Sequence, residues 1–351
     1  MATILVYESK PDRNFGGAEI SMAAYLDVLI SEGHRIPILS EATVVDYPGT
    51  SFFVAGVPPS LRRPVSAILW VRRVVRVLKS TQPDVVFTHC THCLFQLSLA
   101  CWLSGIPLKV YFKWIPANRQ TPLSYRYLRM FPLEICANSV GAQDFWHKRL
   151  NLSCRLFYNG INIQHQIGKT QVERRIGNIR CVYLGRVSSE KGVHLLLHAV
   201  LNDPNLNLSV VGAIEDRFSK EYSELCQKAR ECDRIVFHGY QKKPLTLMPQ
   251  NHLVICPSVA DEAGPRSAME GMFLGIPTAV SIQCGASKEF GPLQSTLIFE
   301  PSLAGIQSML EYFDGLSVQS LNDLVEEQID VVNNVFSSEK TYNSLNEFLS
   351  G

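Results

Sequence analysis

Short apolar runs alternate with helical patterns along almost the whole chain, and this alternation is the feature that most constrains the fold. The runs have strand length, and segments with apolar residues at helical spacing separate most of them. In the N-terminal half the runs are ATILVYE, HRIPILS, PDVVFTH, PLKVYFKW and EICANS. Strands that alternate with helices predict βαβ units and parallel sheets. The predicted fold class is therefore α/β.

The same pattern restarts after a polar stretch, IGKTQVERRIGN, which we interpret as a linker. IRCVYLGRV, LNLSVVGA, RIVFHGY and HLVICPS are the strand-like runs of the second half. We predict two Rossmann-like, doubly wound domains at residues 1–165 and 175–315, followed by a helical tail at 316–351. Two such halves facing each other would leave a central cleft at the carboxyl ends of their strands, where open α/β sheets bind ligands.

Composition fits a two-domain globular protein, because 351 residues with 46% apolar and 19% charged content exceed one ordinary domain. No apolar run reaches about 18 residues without a charge, and no signal-peptide pattern opens the chain, so we expect a cytoplasmic protein. Residues 1–150 carry 16 basic and 10 acidic residues (+6), and the remainder 17 and 22 (−5). A near-neutral net charge without a recognised module argues against nucleic-acid binding.

The ten cysteines are scattered, with HCTHC as the only dense cluster, and reduced thiols are expected. His89, Cys90, His92 and Cys93 stand at the end of the strand-like run PDVVFTH. Alternation along a strand would point neighbouring side chains to opposite faces. We therefore predict neither a metal site nor a cofactor.

The segment DEAGPRSAMEGMFLGIPTAV follows the apolar run HLVICPS and predicts an anion site. Pro265 suits a first helical turn and Gly275 a helix stop, so the helix is predicted to run from Pro265 to Leu274. The backbone N–H groups of Arg266 and Ser267 would then be free at its N-terminus. Free N–H groups at the positive end of a helix dipole bind anions.

Glu262 and Glu270 bracket the start of this predicted helix. Glu262 would lie in the preceding loop, and Glu270 just over one turn into the helix, within reach of polar groups on a docked anion. The alternative is that both are solvated surface charges, as most glutamates are.

Two further loops have compositions that suit a phosphate ligand. YLGRVSSEKG places Arg186 and Lys191 between a strand and a helix, where two cations can converge on a phosphate pair, the alternative being a solvated surface turn. FGGAE, which contains Gly16 and Gly17, allows close backbone approach to a ligand, but a Gly-Gly turn is a common connector. Neither G-x-G-x-x-G nor G-x-x-x-x-G-K-[ST] occurs, which argues against dinucleotide and NTPase functions.

Taken in order, these elements resemble a GT-B-fold glycosyltransferase of the family 4 type (glycosyl transferases group 1). The resemblance runs through FGGAE, PDVVFTH, CANS, YNGIN, GRVSSEKG, VVGA, HGY and CPSVADEAGPRSAMEGMFLGIPTAV. It implies transfer, with retention and without a metal, of a sugar from a UDP- or GDP-linked donor to a glycan or lipid-linked acceptor. The implied setting is polysaccharide, lipopolysaccharide or glycolipid biosynthesis.

The resemblance also assigns roles to residues. It implies that Arg186 and Lys191 hold the donor diphosphate, that Glu270 accepts hydrogen bonds from the ribose, and that Glu262 contacts the donor sugar near its reacting carbon. The remaining donor-binding residues that it implies are Gly16, Gly17, Gly264, Pro265, Arg266 and Ser267. His89 matches a frequent family histidine and is a catalytic candidate, with a structural hydrogen-bonding role as the alternative.

Some positions depart from the family pattern. Lys113 stands where many members have a histidine, and VVGAIED lacks the usual G-x-G. Pro265 occupies a position that is most often glycine. A catalytically silent sugar-nucleotide-binding protein and a GT-B nucleotide-sugar epimerase therefore remain alternatives.

Residues 61–80, LRRPVSAILWVRRVVRVLKS, carry six positive charges and no acidic residue, with Trp70 and several valines between them. A monotopic helix on an anionic membrane has this composition. An ordinary Rossmann helix with a basic outer face has it too. The preceding SFFVAGVPP favours contact with a membrane surface, which would suit a lipid-linked acceptor.

Overall fold

The computed structural model describes residues 1–9, 17–41, 50–113, 125, 127–161, 178–290 and 297–350. The chain divides into two compact units. Unit 1 consists of Met1–Ile115, Gln120–Gly160 and Ser338–Gly351, and unit 2 of Pro116–Arg119 and Ile161–Ser337. The last helix of the chain, which the sequence analysis assigned to a separate tail, therefore belongs to unit 1. The predicted domain limits and the predicted central cleft stay predictions.

Unit 1 contains a seven-stranded sheet whose strands all pair in parallel. Its strands are β1 (Ile4–Glu8), β2 (Ile38–Ser40), β3 (Phe52–Val54), β4 (Val85–Thr88), β5 (Leu108–Phe112), β6 (Leu133–Ala137) and β7 (Cys154–Leu156). Their order is β3-β2-β1-β4-β5-β6-β7, so the direction of winding reverses between β1 and β4. Such a reversal is the topological switch point at which α/β sheets bind ligands.

Unit 2 repeats this order with six parallel strands. They are β8 (Ile179–Leu184), β9 (Leu206–Val211), β10 (Ile235–Gly239), β11 (Leu253–Cys256), β12 (Thr278–Ser281) and β13 (Ile298–Phe299). The order β10-β9-β8-β11-β12-β13 puts the switch point between β8 and β11. The predicted α/β class with two parallel, doubly wound sheets is confirmed.

Helices connect the strands in both units. Unit 1 has α1 (Gly17–Ser31), α2 (Pro64–Thr81), α3 (Leu94–Ser104) and α4 (Val140–Leu150). Unit 2 has α5 (Val193–Asn202), α6 (Asp216–Glu221), α7 (Ser223–Arg230), α8 (Arg266–Phe273), α9 (Leu303–Asp314) and α10 (Val318–Val335), and α11 (Ser338–Ser350) returns to unit 1. Local chemistry sets several ends: Ser139 accepts a hydrogen bond from the Ala142 N–H at the start of α4, and Gly105 ends α3 with a φ of 69°.

Three predicted elements differ from the structure. The pattern of RFSKEYSELCQKAREC predicts one continuous helix, but the structure has two, which break at Tyr222. The Tyr222 ring stacks on His194, with centroids 4.7 Å apart. The terminal helical stretch also breaks, because Phe336 is fully buried and its carbonyl oxygen accepts a hydrogen bond from the Ile161 N–H at 3.0 Å. Strand β3 lies within SFFVAGVPP, which is not among the strand-like runs of the sequence. These breaks follow long-range packing, which local periodicity does not encode.

Helix α11 packs beside α1 on one face of the unit 1 sheet. The rings of Tyr25 and Tyr342 meet edge to face, with centroids 6.1 Å apart. The buried Lys109 of β5 donates a hydrogen bond from Nζ to the Phe348 carbonyl oxygen near the end of the chain. A cation at the carboxyl end of a helix stabilises the carbonyl groups left free there.

In the part of the chain that the structure describes, no helix is both long and apolar enough to cross a bilayer.

Candidate active site

The loops that follow β8 and β11, at the switch point of unit 2, lie in direct contact. Gly192 ends the first loop with a φ of 70°, and a Cβ atom there would stand 2.0 Å from the Pro257 carbonyl oxygen. The Val259 N–H donates to the Glu190 carbonyl oxygen at 2.9 Å. Only glycine combines this φ with so close an approach. The two predicted site loops are therefore brought together.

Lys191 and Glu262 form an ion pair across these loops. Lys191 Nζ donates to Glu262 Oε1, and Ser258 Oγ donates to Glu262 Oε2. The backbone of Glu262 is held as well, because its N–H donates to the Gln283 carbonyl oxygen at 2.9 Å and its carbonyl accepts from the Gly285 N–H at 2.6 Å. Only 29% of the Lys191 side chain and 19% of the Glu262 side chain are exposed. The Glu262 carboxylate is thus fixed in a nearly buried position.

The two charges stabilise each other. Burial works against the charged form of both groups, but the ion pair and its hydrogen bond outweigh it, so the pKa of Glu262 is lowered and the pKa of Lys191 is raised. The Ser258 hydrogen bond lowers the Glu262 pKa further. Both side chains are therefore charged at neutral pH.

Arg186 contacts a different acid. Its Nη1 lies 2.6 Å from Oε1 of Glu215, which follows strand β9. The Arg186 side chain is 68% exposed, and its charge still contributes to the lowered pKa of Glu262. Arg186 therefore lies near the Lys191–Glu262 pair but is directed to Glu215.

Helix α8 begins one residue later than predicted, at Arg266, with Pro265 as its N-cap residue. No side chain caps this end, and Gly264 precedes it in a half-exposed position. Ser267 Oγ lies 3.4 Å from Cys256 Sγ at the end of β11. The helix start therefore lies against the end of the strand beside the switch point.

Glu270 pairs with Arg266 one turn earlier on the same helix, with 2.7 Å between Arg266 Nε and Glu270 Oε1. Burial raises the pKa of Glu270, and the guanidinium only partly offsets this effect. Gly271 allows the helix to approach the sheet, because a Cβ there would lie 2.7 Å from Thr278 Oγ1. Arg266, which was predicted to contact the donor, thus pairs with Glu270, the residue predicted to bind the ribose.

Four predicted site residues surround the thiol of Cys256. Burial raises the pKa of this thiol to about 12, while a hydrogen bond with Ser267 lowers it and the charges of Glu262, Lys191 and Glu270 act on it. The alternative that both glutamates are solvated surface charges is wrong, because only 19% and 11% of their side chains are exposed. Their burial follows from the close packing of α8 and its preceding loop on the sheet.

A histidine–carboxylate pair lies at the switch point of unit 1. His89 Nε2, just after β4, is 2.5 Å from Oε2 of Glu8, the last residue of β1. Both side chains are less than 10% exposed. Burial opposes ionisation of Glu8, but His89 and Lys113 outweigh it and lower its pKa. His89 therefore has a carboxylate partner that orients its ring.

Cys90 also contacts Glu8, with 3.6 Å between Sγ and Oε1. The alternation argument against a shared site does not hold for these residues, because β4 ends at Thr88 and the backbone turns after it. Glu8, His89 and Cys90 offer ligand atoms within 4.8 Å of one another, yet the short histidine–carboxylate distance is that of a hydrogen bond. Cys90 and Cys93 have C-x-x-C spacing, but both are buried and their pKa values are raised, as in unreactive thiols.

Lys113 lies above two aromatic rings of unit 1. Its Nζ is 5.5 Å from the Tyr25 centroid and 5.1 Å from the Tyr111 centroid. Both tyrosine hydroxyls reach Asn159 Oδ1, at 3.3 and 2.9 Å. The residue that replaces the family histidine is therefore held as a cation near Glu8.

Of the two glycines predicted to approach the donor, Gly17 is the first residue of α1, and Gly16 lies outside the described residues. Sequence reasoning missed Glu8, Glu215 and Ser258. A charged residue at the end of the apolar run ATILVYE was a usable signal for Glu8. The partnership of Glu215 with Arg186 depends on contact between two loops, which one sequence does not encode.

Two family models match the chain. Residues 15–165 match Glycosyltransferase Family 4, and residues 169–316 match Glycosyl transferases group 1. No curated protein matches the chain by sequence.

Solved structures, two of them of named glycosyltransferases, share the fold over almost their whole length. Anabaena Alr3699/HepE in complex with UDP and glucose matches with a TM-score of 0.81 at 18% identity, covering 100% of both chains. A glycosyltransferase from Rickettsia africae ESF-5 matches with a TM-score of 0.82 at 16% identity, covering 99% of this chain and 98% of that one. The lipopolysaccharide outer core galactosyltransferase WaaB matches with a TM-score of 0.71 at 14% identity, covering 99% of both chains. With both halves matched by these family models and the fold shared throughout, the chain belongs to the GT-B glycosyltransferases of the group 1 type.

Proposed function

We propose that the protein transfers a sugar from a UDP- or GDP-linked donor to a glycan or lipid-linked acceptor, with retention and without a metal. The strongest support for the proposal is that the buried Lys191–Glu262 pair lies at the switch point of unit 2, next to the uncapped start of α8. A site with a fixed cation and free helix N–H groups suits a diphosphate. The UDP and glucose bound to Anabaena HepE support a UDP-hexose as the donor class.

Each group of this site has a proposed role in the reaction. Lys191 and Arg186 stabilise the negative charge that develops on the leaving diphosphate, together with the N–H groups at the start of α8. Glu262 exchanges part of its contact with Lys191 for hydroxyl groups of the donor sugar. Glu270, oriented by Arg266, accepts hydrogen bonds from the ribose. The leaving phosphate oxygen takes the proton of the acceptor hydroxyl, so no strong protein base is required.

Unit 1 supplies the acceptor side in this proposal, as the family resemblance implies. His89, oriented by Glu8, and Lys113 stand at the carboxyl edge of the unit 1 sheet, where an acceptor hydroxyl would bind. Polysaccharide, lipopolysaccharide or glycolipid biosynthesis is the setting that such acceptors imply.

The surface of α2 supports contact with an anionic membrane. Trp70 is buried, and its Nε1 donates to the Gly56 carbonyl oxygen at 2.8 Å. Arg73 is exposed, but its Nη1 donates to the Ala55 carbonyl oxygen at 2.9 Å. The outer side combines exposed apolar and basic side chains: Val57, Leu61, Val65, Ile68 and Leu69 with Arg62, Arg63, Arg72 and Arg76. Residues 47–83 contain no acid to oppose an anionic surface. Such a mixture binds the interface of anionic lipid bilayers.

Donor hydrolysis tests the proposal. The wild-type protein is expected to turn over a UDP- or GDP-sugar slowly in water and to release the sugar first as the anomer present in the donor, which NMR resolves. Glu262→Ala should lower this rate at least about 100-fold while circular dichroism stays unchanged. Addition of EDTA should leave the rate unchanged.

The same assay separates the alternatives. An epimerase would convert the nucleotide sugar into another one without needing an acceptor, and a silent binding protein would bind the donor without turnover. Equal turnover by wild type and Glu262→Ala would remove Glu262 from the mechanism.

A further inference from the structure

Arg186, one of the two cations assigned to the donor diphosphate, is held by an acid in this structure. We propose that Glu215 sets the affinity of the donor site, because its carboxylate competes with the donor diphosphate for the Arg186 guanidinium. The inference rests on the proposed function and adds to it a residue that no part of the sequence analysis singled out.

The backbone fixes Glu215 opposite Arg186. The Val187 N–H donates to the Ala213 carbonyl oxygen at 2.8 Å, and the Glu215 N–H donates back to the Val187 carbonyl oxygen at 3.1 Å. These hydrogen bonds join the loop after β8 to the loop after β9. The carboxylate is therefore held beside the guanidinium by the fold rather than by chance contact of two long side chains.

Close approach of the two loops requires glycine. A Cβ on Gly212 would stand 1.8 Å from the Gly185 carbonyl oxygen, and Gly212 has a φ of 148°. Within the loop after β8, the Tyr183 hydroxyl donates to the Arg186 carbonyl oxygen at 2.5 Å. The Arg186 backbone is thus fixed, so only its side chain can exchange Glu215 for a ligand.

The charges of the site alternate and cancel. Lys191 pairs with Glu262 and Arg186 pairs with Glu215, while Arg186 also acts on Glu262. These four groups have no net charge together. A diphosphate carries at least two negative charges, so Glu215 both repels it and occupies one of its two cationic partners. A neutral residue at position 215 would leave a net charge of +1 and an available guanidinium.

Exposure decides the size of the effect. The Arg186 side chain is 68% exposed and that of Glu215 38%, so the pair is weak and a diphosphate can displace it. Exposed pairs of this kind correspond to a change of roughly two- to fivefold in a dissociation constant. Glu215 would therefore weaken binding of both the donor and the product diphosphate moderately, which favours product release.

Calorimetric titration with inorganic pyrophosphate, UDP and GDP tests the inference on the full chain. Glu215→Gln is expected to bind pyrophosphate about two- to fivefold more tightly than wild type at low ionic strength, with a smaller gain in high salt. Asp216→Asn is the matched control, since it removes the same charge from the adjacent, exposed position. In the Arg186→Gln background the gain from Glu215→Gln should fall to that from Asp216→Asn, because only general charge repulsion is then removed.

The outcomes separate this inference from the proposed function. Tighter binding by Glu215→Gln alone supports the inference. Two results overturn the inference and leave the proposed function intact, provided that wild type binds. One is equal affinity of Glu215→Gln and Asp216→Asn, and the other is an undiminished gain from Glu215→Gln in the Arg186→Gln background. Failure of wild type and every variant to bind pyrophosphate, UDP and GDP overturns both.

Discussion

Lys191 Nζ donates directly to Glu262 Oε1, although 71 positions separate the two residues in the chain. The contact joins the loop after β8 to the loop after β11, the two strands that flank the switch point of unit 2. Glu8 and His89 form the corresponding pair in unit 1, at the end of β1 and just after β4. Both sheets therefore place a hydrogen-bonded pair of ionisable side chains where α/β folds bind ligands.

A double-mutant cycle measures the Lys191–Glu262 contact. Glu262→Gln and Lys191→Gln are each expected to lower the free energy of unfolding by roughly 1–3 kcal/mol, because each leaves a mostly buried partner without its counter-charge. The double variant should lose less than the sum, by about 1 kcal/mol. Urea unfolding followed by circular dichroism gives these values, with Glu311→Gln on the exposed side of α9 as the control. Strictly additive losses would show that the two groups do not interact in solution.

The pH dependence of stability should distinguish Glu262 from Glu270. The lowered pKa of Glu262 means that its contribution is present above its ordinary value of 4.5 and is lost as pH falls through the folded-state value. The raised pKa of Glu270 gives the opposite pH dependence. The stabilising contribution of Glu270 is complete below 4.5 and is lost as pH rises through the folded-state pKa. The raised pKa of Lys191 keeps the ion pair intact until strongly alkaline pH.

Glu270→Gln isolates the second of these effects. The unfolding free energy of wild type minus that of the variant should decrease as pH rises from about 4.5 to 8, by about 1.4 kcal/mol for each unit of pKa shift. Urea unfolding at several pH values measures it. A difference that stays constant with pH would contradict the raised pKa.

Lys109 should anchor the C-terminal helix to unit 1. Only 4% of its side chain is exposed, its Nζ lies 3.4 Å from Glu134 Oε1, and it donates to the Phe348 carbonyl oxygen. Lys109→Met should lower the stability of unit 1 by roughly 1–3 kcal/mol, because a buried carbonyl loses its donor. Tryptophan emission, to which the buried Trp70 and Trp146 contribute, follows this transition. The exposed Lys148→Met should leave it unchanged, and equal effects of the two variants would refute the anchor.

Sedimentation with phosphatidylserine vesicles tests the basic surface of α2. Replacing Arg62, Arg63, Arg72 and Arg76 with Ser should reduce binding at least about tenfold, since each basic residue near an anionic surface contributes about 1 kcal/mol. Arg73 is kept, because it bonds the Ala55 carbonyl oxygen. The control variant replaces Lys220, Lys228, Lys242 and Lys243 of unit 2 with Ser, which removes the same amount of charge from a different surface. Equal losses in both variants would argue against a membrane face on α2.

The sequence predicted the fold well, because the alternation of strands and helices follows from burial of the strands. The pattern IRCVYLGRV predicts β8 and HLVICPS predicts β11, and the two loops that follow them contain Lys191 and Glu262. Parallel strands bring the loops that follow them to the same edge of the sheet, so the proximity of these two loops could be predicted. The short strands β3, β7 and β13 were not predicted, because each has only two or three residues. Strand β2 is equally short, but it lies within the longer apolar run HRIPILS.

The partners of the charged side chains were much harder to predict from the sequence than the fold. Arg186 was predicted to converge with Lys191, but it contacts Glu215, and Arg266 holds Glu270. Ion pairs depend on how closely two loops approach, and the approach depends on glycines such as Gly192 and Gly212. The return of α11 to unit 1 through Lys109 depends on contacts between distant parts of the chain.

The central claim is that Lys191 and the start of α8 bind the diphosphate of a nucleotide sugar. Calorimetric titration of wild type and Lys191→Gln with UDP and GDP tests it most directly. Loss of one charge-assisted contact predicts an affinity at least about tenfold lower in the variant for whichever nucleotide wild type binds. Equal affinity of the two proteins for that nucleotide, or binding of neither nucleotide by wild type, would contradict the claim.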